Sequence, residues 1–381
     1  MSVHDKVDAQ PPYKMLALDG GGIRGVMTLE VLRGIQSTLQ AKLGRGDDFV
    51  LADYFDYVAG TSTGAIIATF ISLGWRVEKI LQFYVDAGPA MFDKAGLLQR
   101  FRFKFEDEKL AGMLREQIGA DTTLGSDALK TLLMLVLRNA TTDSPWPLSN
   151  NPLAKYNAAS RPDNNLNLPL WQLVRASTAA PTYFPPETVK VGAQDFVFVD
   201  GGVTMYNNPA FQMFMMATVP QYNLRWATGA DRMLIVSVGT GTSPNANKDL
   251  APGQMNLLYN ASSIPSALMF AAANEQDFLC RVFGDCRAGD PLDREVGDLI
   301  GAVAPQPDGR APWPTYPKLF TYMRYNAELT EKGLLALGLP PTIKPSDVQE
   351  MDSVAHIAEL QEVGKAVASK KVQAAHFAGF V

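Results

Sequence analysis

Histidine is nearly missing from this chain. Only His4, His356 and His376 are present, and none lies between Asp5 and Ala355. Cysteine is scarcer still, with Cys280 and Cys286 alone. Two cysteines cannot form a disulfide framework or a four-thiolate zinc site. No carboxylate series has the spacing of an EF-hand loop, so no metal is expected. Basic charge is not in excess: 34 Lys and Arg against 39 Asp and Glu give a net charge of −5. That balance offers no electrostatic footprint for a nucleic acid polymer. No run of ~18 mostly apolar residues is available to cross a bilayer. The runs Gly201–Leu224 and Leu250–Asn274 come nearest, but Pro and Asn break both, and they read as buried helix and loop. The opening segment MSVHDKVDAQPPYK has no apolar core of a secretory signal. A cytoplasmic protein is the expectation, with peripheral contact at the inner membrane left open.

What is present is an ordinary globular composition: 47% hydrophobic and 19% charged over 381 residues. The apolar run Met15–Leu18, ending at Asp19 and three glycines, reads as a buried strand. Leu32, Ile35, Leu39 and Leu43 recur at helical spacing, and Gly44 and Gly46 follow them as a stop. A second strand, Phe55–Ala59, runs into Gly60-Thr61-Ser62-Thr63-Gly64, and a second helix, Ala65–Leu73, stops at Gly74. Strand–helix–strand–helix predicts a mostly parallel sheet covered by helices, a three-layer α/β/α fold. Further buried strands are expected at Phe196–Val199 and Met233–Val238. A polar, Pro- and Asn-rich loop is expected at Thr141–Pro169. Residues 14–240 read as the core and 241–381 as a helical C-terminal extension. Its last helix starts near Asp352 or Ser353 and carries Val354, Ile357, Leu360, Val363 and Val367 on one stripe.

Three motifs could carry chemistry. Gly20-Gly21-Gly22-Ile23-Arg24-Gly25 lies between a strand and a helix and fits G-x-G-x-x-G. Glycines there let backbone N–H groups converge on negative charge, which a helix N-terminus also favours. The charge could be a cofactor pyrophosphate or the oxyanion of acyl transfer, or the segment could be a plain turn. Gly60–Gly64 fits G-x-S-x-G, the nucleophile elbow, in its required strand-to-helix context. A serine needs a base. With every histidine at the two ends of the chain, a carboxylate is the expected base for Ser62. Asp200-Gly201-Gly202 supplies one at the carboxyl end of the expected strand Phe196–Val199, on the edge where open α/β sheets gather their chemistry. Alone, Asp-Gly-Gly is an ordinary turn. Three such motifs at three strand ends are harder to explain as accident.

Asp19-Gly-Gly-Gly-Ile-Arg-Gly25, Gly60-Thr-Ser-Thr-Gly64 and Asp200-Gly-Gly202, in that order, resemble the patatin-like phospholipases. Arg175–Pro185 resembles the segment before the catalytic Asp of bacterial members, and Asn207-Asn208-Pro209 the segment after it. The likeness covers residues ~14–240 and extends less specifically beyond them. It implies a phospholipase A or lysophospholipase that works through a Ser–Asp dyad without histidine or cofactor. Ser62 would be the nucleophile, Asp200 the general base, and the N–H groups of Gly20, Gly21 and Gly22 the oxyanion hole. Gly25, Gly60, Gly64, Gly201 and Gly202 would be the remaining motif glycines. Arg24 would meet a lipid phosphate, or else form a surface ion pair. Some bacterial members are switched on by cyclic nucleotides in antiphage defence, with the C-terminal region implicated. No residues of this chain mark such a pocket, and its oligomeric state is not readable.

Two alternatives belong to other classes. A dinucleotide-binding oxidoreductase needs an acidic residue about twenty positions beyond the first glycines. Gln36–Leu43 has none. A non-catalytic lipid-binding or storage protein of the same fold should lack one dyad member, and both are present. Met213, Met215 and Met216 read as core, Cys280 and Cys286 as packed thiols, and Lys365–Lys371 as a solvated helix face.

Overall fold

In the computed structural model, which describes residues 2–92, 103–181, 184–243, 257–301 and 316–381, a short helix α1 (Val3–Val7) leads into β1 (Tyr13–Leu18). Side chains of β1 alternate between two apolar cores. Leu16 and Leu18 enter one, Met15 and Ala17 the other. A strand buried on both faces reads as such an unbroken apolar run. Next come α2 (Gly25–Leu43), α3 (Leu51–Tyr54), β2 (Tyr57–Thr61), α4 (Thr63–Ser72), α5 (Val77–Phe92) and α6 (Phe103–Ile118). Gly44 ends α2 in the left-handed conformation that a helix stop requires. The middle of the chain forms β3 (Leu132–Asn139), β4 (Ser144–Ser149), α7 (Leu170–Ser177), β5 (Glu187–Val191), β6 (Gln194–Asp200), α8 (Ala210–Thr218) and β7 (Met233–Val238). After it come α9 (Leu257–Phe283), β8 (Gly284–Ala288), β9 (Phe320–Tyr325), α10 (Glu331–Ala336), α11 (Pro345–Val348) and α12 (Ile357–Lys371).

The described strands form one nine-stranded sheet in the order β5-β6-β3-β2-β1-β7-β9-β8, with β4 on β3. β3, β2, β1, β7, β9 and β8 run parallel. One face carries α2, α4, α5 and α12, and the other carries α8 and the end of α9. This is the expected three-layer architecture.

The register on β3 decides where the chemistry sits. β4 pairs antiparallel with Met134–Asn139 along one flank. Along the other, β2 pairs parallel up to Thr61 opposite Val136, and β6 pairs antiparallel from Asp200 opposite Leu137. The carboxyl ends of β2 and β6 therefore meet head to head between Val136 and Leu137.

Several expectations change here. Phe196–Val199 lies in a strand, but an antiparallel one whose outer part forms a ribbon with β5, so Val197 is exposed. Asp200 reaches the carboxyl edge because β6 enters from beyond it, not because β6 follows the parallel direction. The segment Thr141–Pro169 is not a bare loop. It contains β4, and Asn side chains extend the pairing: Asn150 accepts from the Leu133 N–H at 2.7 Å and donates to the Thr131 carbonyl at 3.1 Å. The region from 241 onward is helical over α9–α12, yet β8 and β9 also extend the central sheet. Residues 250–256 of the uncharged run Leu250–Asn274 lie outside the described residues. Its later part is the start of α9, where Leu268 and Phe270 are exposed rather than buried. A short 3-10 turn, Val354–His356, precedes α12, one step after the expected cap at Ser353.

β9 contributes a buried ion pair beneath the first glycine turn. Arg324 grips Asp19 with two hydrogen bonds, 2.8 and 2.5 Å, and also donates to the Ser237 hydroxyl at 2.7 Å. Both side chains are about 4% exposed. Removing one member of such a pair leaves a buried charge without compensation. Arg324→Met should therefore cost ~3–5 kcal/mol in urea denaturation, and Asp19→Asn in the same chain should recover part of that loss.

Candidate active site

β2 turns into α4 at Ser62, which adopts φ 55° and ψ −122°. A side chain in that region is strained by ~1–3 kcal/mol, and such residues cluster at functional sites. The turn is possible because its flanks are glycine. A Cβ on Gly60 would lie 2.0 Å from the Gly64 carbonyl oxygen, and one on Gly64 would lie 2.3 Å from the Leu18 carbonyl oxygen. The Ser62 N–H donates to the Ser177 hydroxyl at 3.0 Å, and that hydroxyl donates to the Val136 carbonyl at 2.7 Å. Ser177, at the end of α7, thus ties the elbow to the junction on β3.

The Ser62 hydroxyl donates to Asp200 Oδ2 at 2.6 Å. Asp200 Oδ1 accepts from the Gly202 N–H at 2.6 Å. Both side chains are buried, Ser62 at 8% and Asp200 at 4% exposure. Burial pushes the Asp200 carboxyl up to about 6, against the hydrogen bonds of Ser62 and Gly202 and the positive charge of Arg175. A carboxylate in direct contact with a serine hydroxyl, ionised near neutrality, can accept its proton without an intervening imidazole.

The glycine turn abuts this pair. A Cβ on Gly20 would lie 3.2 Å from Ser62 Cβ. The turn is fixed from several elements: Thr240 donates to the Gly20 carbonyl at 2.8 Å, Arg324 holds Asp19, and the Ile23 N–H donates to the Met351 carbonyl at 2.9 Å. Gly22 has φ +62°, and a Cβ there would lie 2.2 Å from the Met351 carbonyl oxygen. The expectation of three free donors does not fit Gly20, whose N–H donates to the Asn207 carbonyl at 3.2 Å. The N–H groups of Gly21 and Gly22 meet no acceptor among the described residues. Arg24 donates to the carbonyls of Gly21 at 3.4 Å and Gln349 at 3.1 Å, so its guanidinium ties the turn to the C-terminal segment.

A family model of the patatin-like phospholipases matches residues 16–214, just over half of the chain. The chain belongs to the patatin-like phospholipase family. Curated patatins match over 253 residues, 61% of this chain and 62% of theirs: Patatin-17 of Solanum cardiophyllum at 30% identity and Patatin-T5 of Solanum tuberosum at 29%. The match thus spans less than two thirds of these relatives' length. Among solved structures, human GIVD cytosolic phospholipase A2 aligns with a TM-score of 0.45 and 13% identity, over 96% of this chain and 60% of that one. VipD from Legionella pneumophila aligns at 0.37 and 15%, over 92% of this chain and 67% of that one.

Outside the three patatin motifs, the other residues singled out in the sequence have structural surroundings. His4 is exposed on α1, His356 lies near Asp347 and Glu359, and His376 Nδ1 is hydrogen-bonded to the Tyr325 hydroxyl at 2.9 Å. None is a hydrogen-bond partner of Ser62 or Asp200 among the described residues. Cys280 and Cys286 are buried free thiols, and burial pushes Cys286 up to about 12. Met213 and Met216 are core, with Met215 packed against it. Lys371 pairs with Asp290 and Lys365 with Glu362. No group of three or more His, Cys, Asp or Glu able to hold a metal occurs among the described residues, and no described helix is long and apolar enough to cross a membrane. In Arg175–Pro185, residues 182 and 183 lie outside the described residues.

The sequence reading missed Ser177, Ser237, Thr240, Arg324 and Met351 as partners of these motifs. Ser177 lay in the segment Arg175–Pro185 and Ser237 in the expected strand Met233–Val238, but no local spacing links Ser237, Thr240, Arg324 or Met351 to a glycine turn more than two hundred residues away. Ser177→Ala should destabilise the chain by ~1–3 kcal/mol in urea, because the Ser62 N–H and Val136 carbonyl both lose a buried partner.

Proposed function

We propose that this patatin-like chain is a lipid acyl hydrolase, of the phospholipase A or lysophospholipase type, that works through an acyl-Ser62 intermediate. The observation that carries this reading is the 2.6 Å hydrogen bond from the strained Ser62 to the buried Asp200, beside two uncommitted N–H groups. Ser62 Oγ attacks the ester carbonyl carbon while its proton passes to Asp200. The carbonyl electron pair moves onto oxygen, where the N–H groups of Gly21 and Gly22 receive the charge. Collapse breaks the ester C–O bond, and the departing alcohol takes the proton from Asp200. Water then attacks the acyl-serine, its proton passes to Asp200, and Ser62 recovers a proton as the fatty acid leaves. Phospholipid or lysophospholipid is the proposed substrate, with the enzyme meeting it peripherally at a membrane surface. The donor role of Gly20 is dropped because its N–H is engaged, and Arg24 is assigned to positioning the turn.

A fluorophosphonate probe should label the protein at Ser62 and should not label Ser62→Ala. Mass spectrometry of products from defined liposomes should show fatty acid release that falls by up to ~10⁶ in that variant. Full-strength labelling of Ser62→Ala would overturn the assignment. Replacing His4, His356 and His376 together should leave turnover within a few-fold.

The pH dependence follows from Asp200, which must be ionised to act. kcat/KM should rise with pH and level off above about 6. Stability should move the opposite way. The unfolded carboxyl ionises near 3.8 and the folded one near 6, so between those values the folded state binds the extra proton. Its contribution is present below the unfolded value and is lost as pH rises through about 6. Asp200→Asn should therefore be inactive, yet gain thermal stability relative to the native chain between pH 4 and pH 7. A variant that loses stability equally at both pH values would contradict this.

A further inference from the structure

Asn207 and Asn208 stand side by side between the Asp200 turn and α8, and of their side chains only that of Asn208 holds the fold, through its Oδ1, although its Nδ2 is also buried without a partner. Asn208 Oδ1 accepts from the Ala210 N–H at 3.1 Å and from the Ser237 hydroxyl at 3.2 Å, which fixes the start of α8. The Asn207 side chain makes no such bonds. It is 6% exposed, its Oδ1 is buried with no hydrogen-bond partner, and its Nδ2 donates to no described residue. A buried amide oxygen without a partner is destabilising and calls for an explanation.

Its position gives one. A Cβ on Gly20 would lie 2.5 Å from Asn207 Oδ1 and 3.2 Å from Ser62 Cβ. A Cβ on Gly202 would lie 3.0 Å from Asn207 Oδ1 and 3.0 Å from Asp200 Oδ1. The carboxamide is thus wedged between the glycine turn and the Asp200 turn, beside both members of the dyad. Glycine at 20 and 202 leaves it the space. The two ends of a carboxamide exchange places by a flip of the group, so either orientation brings one donor and one acceptor to this spot. The main chain of the same residue takes the Gly20 N–H, which removes a backbone donor from the turn at the point where Oδ1 now lies and where the flipped side chain would place its Nδ2 donor.

We propose that Asn207 is a catalytic residue whose side-chain N–H donates to the ester carbonyl oxygen as it becomes the tetrahedral oxyanion, joining the N–H groups of Gly21 and Gly22. The inference rests on the hydrolase reading above and deepens it. With the carboxamide flipped so that Nδ2 takes the place of Oδ1, the oxyanion is the acceptor that the protein does not supply. A donor aimed at developing charge acts on turnover more than on ground-state binding.

Asn207→Ala and the isosteric Asn207→Asp test it on the full chain, with a soluble ester substrate and a trifluoromethyl ketone that forms a tetrahedral adduct on serine. Loss of one such donor typically lowers turnover ~10²–10³-fold. For Asn207→Ala the expected result is a fall of that size in kcat, with KM within about three-fold. Ketone affinity should fall in parallel with kcat/KM, the acid limb of the pH profile should stay near 6, and the melting temperature should be unchanged or higher. Asn207→Asp keeps the shape and loses the donor, and should be at least as impaired. It is the variant to read if Asn207→Ala does not fold. A kcat within three-fold of the native value, or a loss of ketone affinity no greater than that of substrate, would overturn the proposal. So would a fall in kcat accompanied by a large drop in melting temperature in both variants. Absence of hydrolysis and of Ser62 labelling in the native chain would instead reject the hydrolase reading itself.

Discussion

The site depends on one short stretch of β3. One flank of that strand is occupied by β4, and the other is shared by two strands arriving from opposite directions. Thr61 ends the first opposite Val136, and Asp200 ends the second opposite Leu137. Neighbouring residues on one strand lie ~3.3 Å apart, so side chains delivered at these two ends have no choice but to meet. The distance of 2.6 Å from Ser62 to Asp200 follows from that pairing. It also gives the proposed dyad its geometry, with a carboxylate rather than an imidazole against the serine hydroxyl. The carboxylate reaches the hydroxyl because its strand enters the carboxyl edge from outside, a path that no parallel strand could take.

Close packing of backbones then sets which residues the surrounding turns accept. Gly60 lies against Gly64, Gly64 against Leu18, and Gly201 against the Val136 carbonyl. The first contact tightens the elbow itself, the second seats the elbow on the end of β1 beside Asp19, and the third seats the Asp200 turn on β3. The strain at Ser62 is sustained by this crowding and by the hydrogen bond from its N–H to Ser177. Burial acts on Asp200 as well: the same enclosure raises its carboxyl to about 6, the range that the proposed base role needs near neutral pH. The strain and the desolvation are costs borne by the fold, and the large two-faced core surrounding β1 and β2 offsets them.

Much of this was legible in the sequence, because it is local. The apolar run of β1, the helical stripe and terminal glycine of α2, and the elbow of Gly60–Gly64 each carry their signal within a few residues. The direction of β6 does not. An apolar run of four residues looks alike in a parallel and an antiparallel strand, and only the pairing of Leu137 with Asp200 distinguishes them. Nor could β4 be read beneath the prolines and asparagines of 141–169, where side-chain amides stand in for strand hydrogen bonds. Gly20 was expected to be a donor because its type fits. What commits its N–H is a carbonyl from a distant segment, at Asn207.

The partners of the glycine turn also change how the chain divides. The family model ends at residue 214, and the motifs it recognises are complete by then. Yet Asp19 is neutralised by Arg324, the Gly20 carbonyl is held by Thr240, and Ile23 and Arg24 are bonded to Met351 and Gln349. All of these lie beyond the matched region. Three of the nine described strands, β7, β8 and β9, come from there as well. The matched region thus carries the residues that would react, while much of what fixes the first glycine turn comes from beyond it. In the proposed reaction the N–H groups of this turn must point at one oxygen, and a turn is only as well ordered as its least fixed end. In this chain, that end is fixed by the C-terminal segment.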